Sequence, residues 1–387
     1  MNVIPDNDHA APRRIQQYTS IQTLRGLAAL MVVIYHLPAA LGVLDLPIPI
    51  LNSGVDLFFV ISGFVMVLST ENRHRDHRAF LMQRFTRVVP FYWVMTFLMV
   101  AALWLFAGRG VSFEQITNSL LFVPYLDTAT GYVQPVLGVG WTLNLEILFY
   151  ILFAATMGFG ALTQMATIGV VFAIAVAARI IFKPAADTVL FFYTTPILFE
   201  FLAGMAVGHL VGRLVRLPAF LGASAVGFAI VSTLVMVLGF NLPRTLAQGI
   251  PALILVAGCI SLESYFRLFA PRVLARLGDA SYSLYLTHPI VLLAIAPVVA
   301  TANVSPWLAS IAIVTACIAV SLASYSFIER PAFGHVANEP LRLSGEGVSC
   351  GYAAARSACH SGALLTTTYR RVQATTAAAR SSSNSLT

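Results

Sequence analysis

Apolar residues run along this chain in blocks of about twenty, separated by short polar intervals, which is the pattern of helices that cross a bilayer. Ten windows stand out: 21–44, 54–70, 88–107, 141–160, 164–182, 190–211, 218–239, 246–262, 281–302 and 306–328. They predict an all-α, polytopic integral membrane bundle of about ten transmembrane helices. In the first window, IQTLRGLAALMVVIYHL, Arg25 and His36 lie eleven residues apart. That is about three turns, so both side chains leave one helix face, roughly 16 Å apart along the axis. Ionisable groups in such a helix are costly and point to a functional site. The plainer reading is that Arg25 snorkels to the interface and His36 bonds a neighbouring helix.

Composition agrees with the pattern. Of 387 residues, 58% are hydrophobic and only 10% charged, which excludes a soluble globular domain. One set of connections between windows carries Arg73, Arg75, Arg78, Arg84, Arg87, Arg213, Arg216, Arg267, Arg272 and Arg276, whereas the other carries Arg109, Lys183 and Arg244. The positive-inside rule makes the arginine-rich side cytoplasmic and puts both termini there, at a bacterial inner membrane. The excess of 23 Lys+Arg over 16 Asp+Glu then reflects loops facing anionic lipid, not nucleic acid. Arg13 and Arg14 precede an apolar run too long, and without the cleavage site, for a removable signal. Cys259, Cys317, Cys350 and Cys359 show no metal-ligand spacing, so neither a metal site nor a structural disulfide is expected. The expected organisation is a cytoplasmic segment 1–20, a membrane domain 21–333 and a disordered cytoplasmic tail 334–387, rich in Ala, Ser, Thr and Arg.

Polar residues cluster at the window boundaries. GVDLFFVISGFVM (54–66) puts Asp56 at the same end that His36 approaches, either as a helix N-terminal acid or as the carboxylate that orients a catalytic histidine. Its glycines at 54 and 63 would permit close helix contact. RFTRVVPFYW (84–93) pairs Arg84 and Arg87 at i, i+3, a candidate phosphate clamp at the depth of Arg25, or an ordinary positive flank. GWTLNLEILFY (140–150) carries Trp141, an interface aromatic or a sugar-stacking platform, and Glu146 about 7 Å deeper. SYSLYLTHP (281–289) puts His288 against Pro289, where the helix can open into a pocket or merely bend. FIERP (327–331) places Glu329 to pair with Arg25, Arg84 or Arg87. Glu200 and His209 complete the intramembrane polar set.

Taken in order, the Arg25–His36 spacing, GVDLFFVISGF, RFTRVVPFYW, WTLNLEILFY, SYSLYLTHP and FIERP resemble the landmarks of the membrane-bound acyltransferase family 3 over residues 21–333. The branch most resembled is that of exopolysaccharide-production O-acetyltransferases, the ExoZ type. Longer family members append a hydrolase-like domain that has no counterpart here, and Trp-Thr stands at 141–142 where Trp-Ser is common. The resemblance implies transfer of an acetyl group from cytoplasmic acetyl-CoA to a sugar hydroxyl of an exopolysaccharide or its lipid-linked precursor. No tightly bound cofactor is implied, and polysaccharide-synthesis machinery is a further partner. Arg25, Arg84 and Arg87 would hold the donor; His36, with Asp56 and Glu146, would carry the proton chemistry, directly or through an acetyl-histidine. Trp141 and His288 would meet the acceptor. The competing classes are a transporter using the same intramembrane charges and a scaffold subunit without chemistry.

Overall fold

The computed structural model describes residues 18–41, 49–70, 76–239, 242–301 and 304–331, all within one compact unit, Met1–Asn338. Most of the expected N-terminal segment, Arg73 and Arg75, and the tail from 334 lie outside the described residues. The described helices are α1 (Thr19–Leu41), α2 (Ser53–Thr70), α3 (His77–Ala107), α4 (Phe113–Leu120), α5 (Trp141–Thr156), α6 (Ala161–Phe182), α7 (Val189–Tyr193), α8 (Phe199–Leu214), α9 (Ala219–Gly239), α10 (Ile250–Ser261), α11 (Glu263–Phe269), α12 (Arg272–Asp279), α13 (Ser281–Thr301) and α14 (Pro306–Ser324). A two-residue hairpin, β1 (Leu126–Asp127) with β2 (Tyr132–Val133), is antiparallel. The protein is an all-α polytopic membrane bundle.

All ten apolar windows fall on helices, with two differences. By length and composition, eight described helices suffice to cross a bilayer, or nine when the pair Thr245–Ser261 and Glu263–Phe269, bent by 72°, counts as one span. The window 218–239 is α9, whose apolar stretch Ala219–Val235 stands apart from those nine as a shorter apolar helix. The other difference is the start of α3, eleven residues before its window. Asp76 caps it by accepting from the amides of Arg78 and Ala79, so the helix begins in polar sequence that a hydropathy window passes over. Arg84 and Arg87 are therefore helical residues and not loop flanks.

A long-range cap ties the start of α1 to the rest. The bend after α10 brings Glu263 to the N-terminus of α1, where its carboxylate accepts from the amides of Thr19 and Ser20 at 2.8 and 3.0 Å and from the Ser20 hydroxyl at 2.6 Å. Those are donors that no residue within the helix could satisfy.

Small residues set the closest helix crossings. A Cβ added to Gly63 in α2 would lie 2.0 Å from the Phe201 carbonyl oxygen, and one on Gly204 in α8 would lie 1.9 Å from the Val60 oxygen. At Gly278 in α12 it would lie 1.9 Å from the Gln22 oxygen. Each crossing brings a backbone carbonyl against a glycine that presents no side chain, the usual device of helices packing in lipid. Aromatic packing fills the space around α2, α3, α5 and α8, with Phe59, Phe91, Phe149, Phe153 and Phe201 all buried. A second cluster joins α1, α2 and α10, and a third joins α1, α13 and α14. Trp104, Ile181, Phe182, Ile311 and Phe327 face outward, as lipid-contacting side chains do.

Candidate functional site

Five helices, α1, α2, α3, α5 and α13, build a cavity of about 120 Å³ inside the bundle. α1 contributes Arg25, α3 contributes Arg84 and Arg87, α2 contributes Ser62, and α5 contributes Glu146 and Tyr150. The i, i+3 spacing in α3 does put both arginines on the cavity side. Arg84 is 5% exposed, donates to the Ser69 hydroxyl and lies over the Phe80 ring. Glu146 accepts from the Ser62 hydroxyl at 2.7 Å and from the hydroxyl of Tyr150, one turn along its own helix. The remaining wall is largely apolar, including Phe58, Val65, Met66 and Val88, and reaches Thr142 and Tyr285. The Tyr285 hydroxyl lies 2.9 Å from that of Thr142 and 3.0 Å from the Val139 carbonyl, so it bridges α13 to the turn before α5.

One turn beyond Tyr285 stands a histidine pair. The rings of His36 and His288 are 5.1 Å apart and inclined at 47°, and the Tyr285 ring is 6.1 Å from that of His288. His36 Nδ1 is 2.7 Å from the Val32 carbonyl and His288 Nδ1 is 3.1 Å from the Leu284 carbonyl. A carbonyl only accepts, so each Nδ1 carries the proton and each Nε2 presents a lone pair. His288 is wholly buried and its Nε2 has no partner among the described residues, while His36 is half-buried. Pro289 supplies no amide for the Tyr285 carbonyl, which loosens the helix ladder beside the pair.

The contact expected between Asp56 and His36 does not form. Asp56, wholly buried at the first turn of α2, holds Arg244 through two bonds of 2.8 and 3.2 Å, and Arg244 also donates to the Asn52 carbonyl at 3.1 Å. Arg244 precedes a π-turn, Thr245–Gly249, that carries Gly249 against the carboxylate of Glu200. Glu200 is 2% exposed, and its carboxyl lies against that of Asp56. At the opposite end of the bundle, a second π-turn, Tyr325–Glu329, delivers Glu329 to the Ser283 hydroxyl. Glu329 makes no ion pair with Arg25, Arg84 or Arg87 among the described residues. His209 is exposed on α8.

The sequence thus points to the arginine cavity with Glu146 and to the helix that bears His36, but His36, Asp56 and Glu146, expected to act together, stand in three separate surroundings. It missed the pairing of His36 with His288, the roles of Ser62, Tyr150 and Tyr285, and Arg244 as the partner of Asp56. One signal was available: Arg244 is an arginine on the side of the membrane where arginines are scarce. Outside the spans, burial pushes the Asp279 carboxyl above its ordinary value, against the pull of Arg25 and Arg330. Trp141 packs on Phe59 at 6.3 Å and faces a separate pocket.

The family model described as an acyltransferase domain, acyltransferase family 3, matches residues 18–326. Among curated proteins, the chain is 36% identical over 291 residues to "Exopolysaccharide production protein ExoZ" of Rhizobium meliloti (strain 1021), covering 72% of this chain and 88% of that protein. It is 26% identical over 355 residues to "Peptidoglycan O-acetyltransferase OatA" of Listeria monocytogenes serovar 1/2a (strain ATCC BAA-679 / EGD-e), covering 81% of this chain and 55% of that protein. The chain spans about half the length of the latter. No solved structure matches.

Proposed function

The chain belongs to the acyltransferase 3 family, and on that premise we propose that it moves an acetyl group from cytoplasmic acetyl-CoA to a sugar hydroxyl of an exopolysaccharide or its lipid-linked precursor. The observation that carries this reading is the cavity in which Arg25, Arg84 and Arg87 converge at one end and Tyr285, beside the histidine pair, stands at the other. Guanidiniums bind phosphate oxygens in bidentate fashion, so the arginine end suits the phosphates of coenzyme A. The largely apolar wall beyond suits the pantetheine arm, which would bring the thioester toward Tyr285 and the histidines.

In the proposed transfer, the Nε2 lone pair of neutral His36 takes the proton of the acceptor hydroxyl while its oxygen attacks the thioester carbonyl. The tetrahedral adduct collapses, the carbon–sulfur bond breaks, and the thiolate of coenzyme A leaves and is reprotonated. His36 is preferred to His288 as the base because it is the half-buried member of the pair, reachable by an acceptor. His288 then acts as its neighbour, and Asp56 holds Arg244 instead of orienting His36. Glu146 holds Ser62 and Tyr150 in the cavity wall. The family match and the ExoZ relative support an exopolysaccharide acceptor. With α9 counted as a crossing through to Gly239, ten spans leave both termini in the cytoplasm of the inner-membrane cell face, the side of the arginine cavity.

Donor binding tests the carrying observation. Arg84→Lys keeps the charge and loses the planar fork, so coenzyme A affinity should fall about tenfold or more, and further in Arg84→Ala, with the protein still inserted. Unchanged affinity in both variants would remove the arginine cavity from donor binding.

A further inference from the structure

A second pocket, of about 280 Å³, opens at the end of the bundle opposite the arginine cavity. That volume is near the lower bound of small-molecule sites. Its walls come from four pieces of chain: Tyr132 and Gln134 of the hairpin, Trp141 of α5, Arg179 near the end of α6, and Phe191 of α7. Aromatic faces with polar edges are the surfaces on which sugar rings lie.

The cation in this pocket distinguishes it. Three arginines stand near this end of the bundle. Arg109 is matched to Asp127 at 2.6 Å and Arg244 to Asp56 at 2.8 Å. Arg179 has no carboxylate partner among the described residues. Its guanidinium carbon lies over the Phe191 ring, 3.5 Å from the ring centre, and one N–H donates to the Phe191 carbonyl at 2.9 Å. Of the five N–H groups an arginine carries, the others have no protein acceptor among the described residues. A helix C-terminal arginine that only answered the helix dipole would be free to extend into water. This one is oriented, stacked and left with donors to spare beside an aromatic wall.

The wall is shared with the donor side. Trp141 and Leu145, one turn apart on α5, face this pocket, while Thr142 and Glu146 face the arginine cavity. Trp141 leans on Phe59, which lines that cavity from α2. A saccharide seated here would lie against the helix that bounds the donor site.

We infer that this pocket is an acceptor subsite for a saccharide bearing an anionic group, stacked on Trp141 and Tyr132 with the anion on Arg179. The inference rests on the proposed acyl-acceptor chemistry and names the class of acceptor. The anion is a carboxylate on the sugar or the diphosphate of a lipid-linked sugar; both fit a guanidinium fork.

Direct binding, without catalysis, separates this inference from the proposed reaction. Full-length protein in lipid nanodiscs would be titrated with oligogalacturonate, with its neutral methyl ester, and with a neutral sugar linked to polyprenyl diphosphate. Coenzyme A is titrated in parallel, and its result bears on the donor reading alone. The expected result is that wild type binds at least one anionic probe at least tenfold more tightly than the methyl ester, that Arg179→Gln abolishes this preference, and that Arg179→Lys retains part of it. Trp141→Ala should weaken charged and neutral sugars alike. Preference for oligogalacturonate assigns the anion to the sugar; preference confined to the diphosphate assigns it to the lipid-linked unit. Equal binding of charged and neutral probes by wild type, or an Arg179→Gln protein that is monodisperse and keeps the preference, would overturn the subsite.

Discussion

His36 and Asp56 illustrate how a buried polar residue is defined by what it meets. His36 Nδ1 is committed to the Val32 carbonyl one turn back, so its tautomer is set within α1 and needs no acid partner. Asp56 is spent on Arg244 instead, 188 residues away in sequence. That pair is worth testing by substitution in both orders. Arg244→Gln leaves Asp56 wholly buried without a counter-charge and should cost about 3–5 kcal/mol, and Asp56→Asn should cost less, because the Arg244 side chain keeps some access to water. The double substitution should be less harmful than Arg244→Gln alone. Thermal unfolding in detergent measures all three, and strictly additive losses would show that the two side chains are not coupled. The His36–Asp56 dyad was a reasonable expectation from depth alone. It failed because depth along one helix says nothing of azimuth, and the arginine that captures Asp56 arrives from a connection whose fold the hydropathy pattern does not describe.

At the scale of elements, the crossing of α2 and α8 depends on hydrogen atoms where other residues carry methyl groups. Gly63→Ala drives a Cβ to within 2.0 Å of a backbone oxygen, which cannot rotate away, and should cost about 1–3 kcal/mol or more. Gly212, in the same helix α8, has nothing within 4 Å of the added carbon, so Gly212→Ala should be neutral or stabilising by about 0.5–1 kcal/mol. Equal effects at the two positions, read as unfolding temperatures, would deny the close crossing. The glycine of ISGF was legible as a contact in the sequence; its partner helix was not. Window boundaries were legible wherever polar turns interrupt apolar runs. They misplaced the start of α3 because Arg84 and Arg87 lower the local hydropathy although both are helical and Arg84 is buried.

The hairpin beside the second pocket offers an element-scale test by pH. Burial raises the Asp127 carboxyl, but the Ala129 amide and the Arg109 guanidinium outweigh it and hold the group below its ordinary value. A depressed folded value means the stabilisation is complete above the ordinary carboxylate value of about 4 and is lost as pH falls through the lower folded value. Hydrogen exchange at the Ala129 amide, which donates to Asp127 at 3.2 Å, should therefore stay protected down to about pH 4 and open below it. Asp127→Asn should remove that acid transition. Its persistence in the variant would place the titrating group elsewhere.

For the whole molecule, charge and chemistry are sorted by end. Arg25, Arg84, Arg87, Asp279 and Glu329 gather toward one end, and Asp56, Arg244, Arg109, Asp127 and Arg179 toward the other, with the histidine pair between. Both π-turns, Thr245–Gly249 and Tyr325–Glu329, occur where a helix end delivers a polar group to one of these clusters. This arrangement suits a reaction whose donor enters from one face and whose acceptor waits at the other, and it distinguishes the proposed enzyme from a scaffold. The direct test is transfer of labelled acetyl from acetyl-CoA to exopolysaccharide by the purified protein in nanodiscs, compared between wild type, His36→Ala and His288→Ala. The account predicts that wild type transfers, that His36→Ala is slower by roughly 10²–10⁴-fold with coenzyme A affinity kept, and that His288→Ala is affected less. Near wild-type transfer by His36→Ala, with loss in His288→Ala, would contradict it.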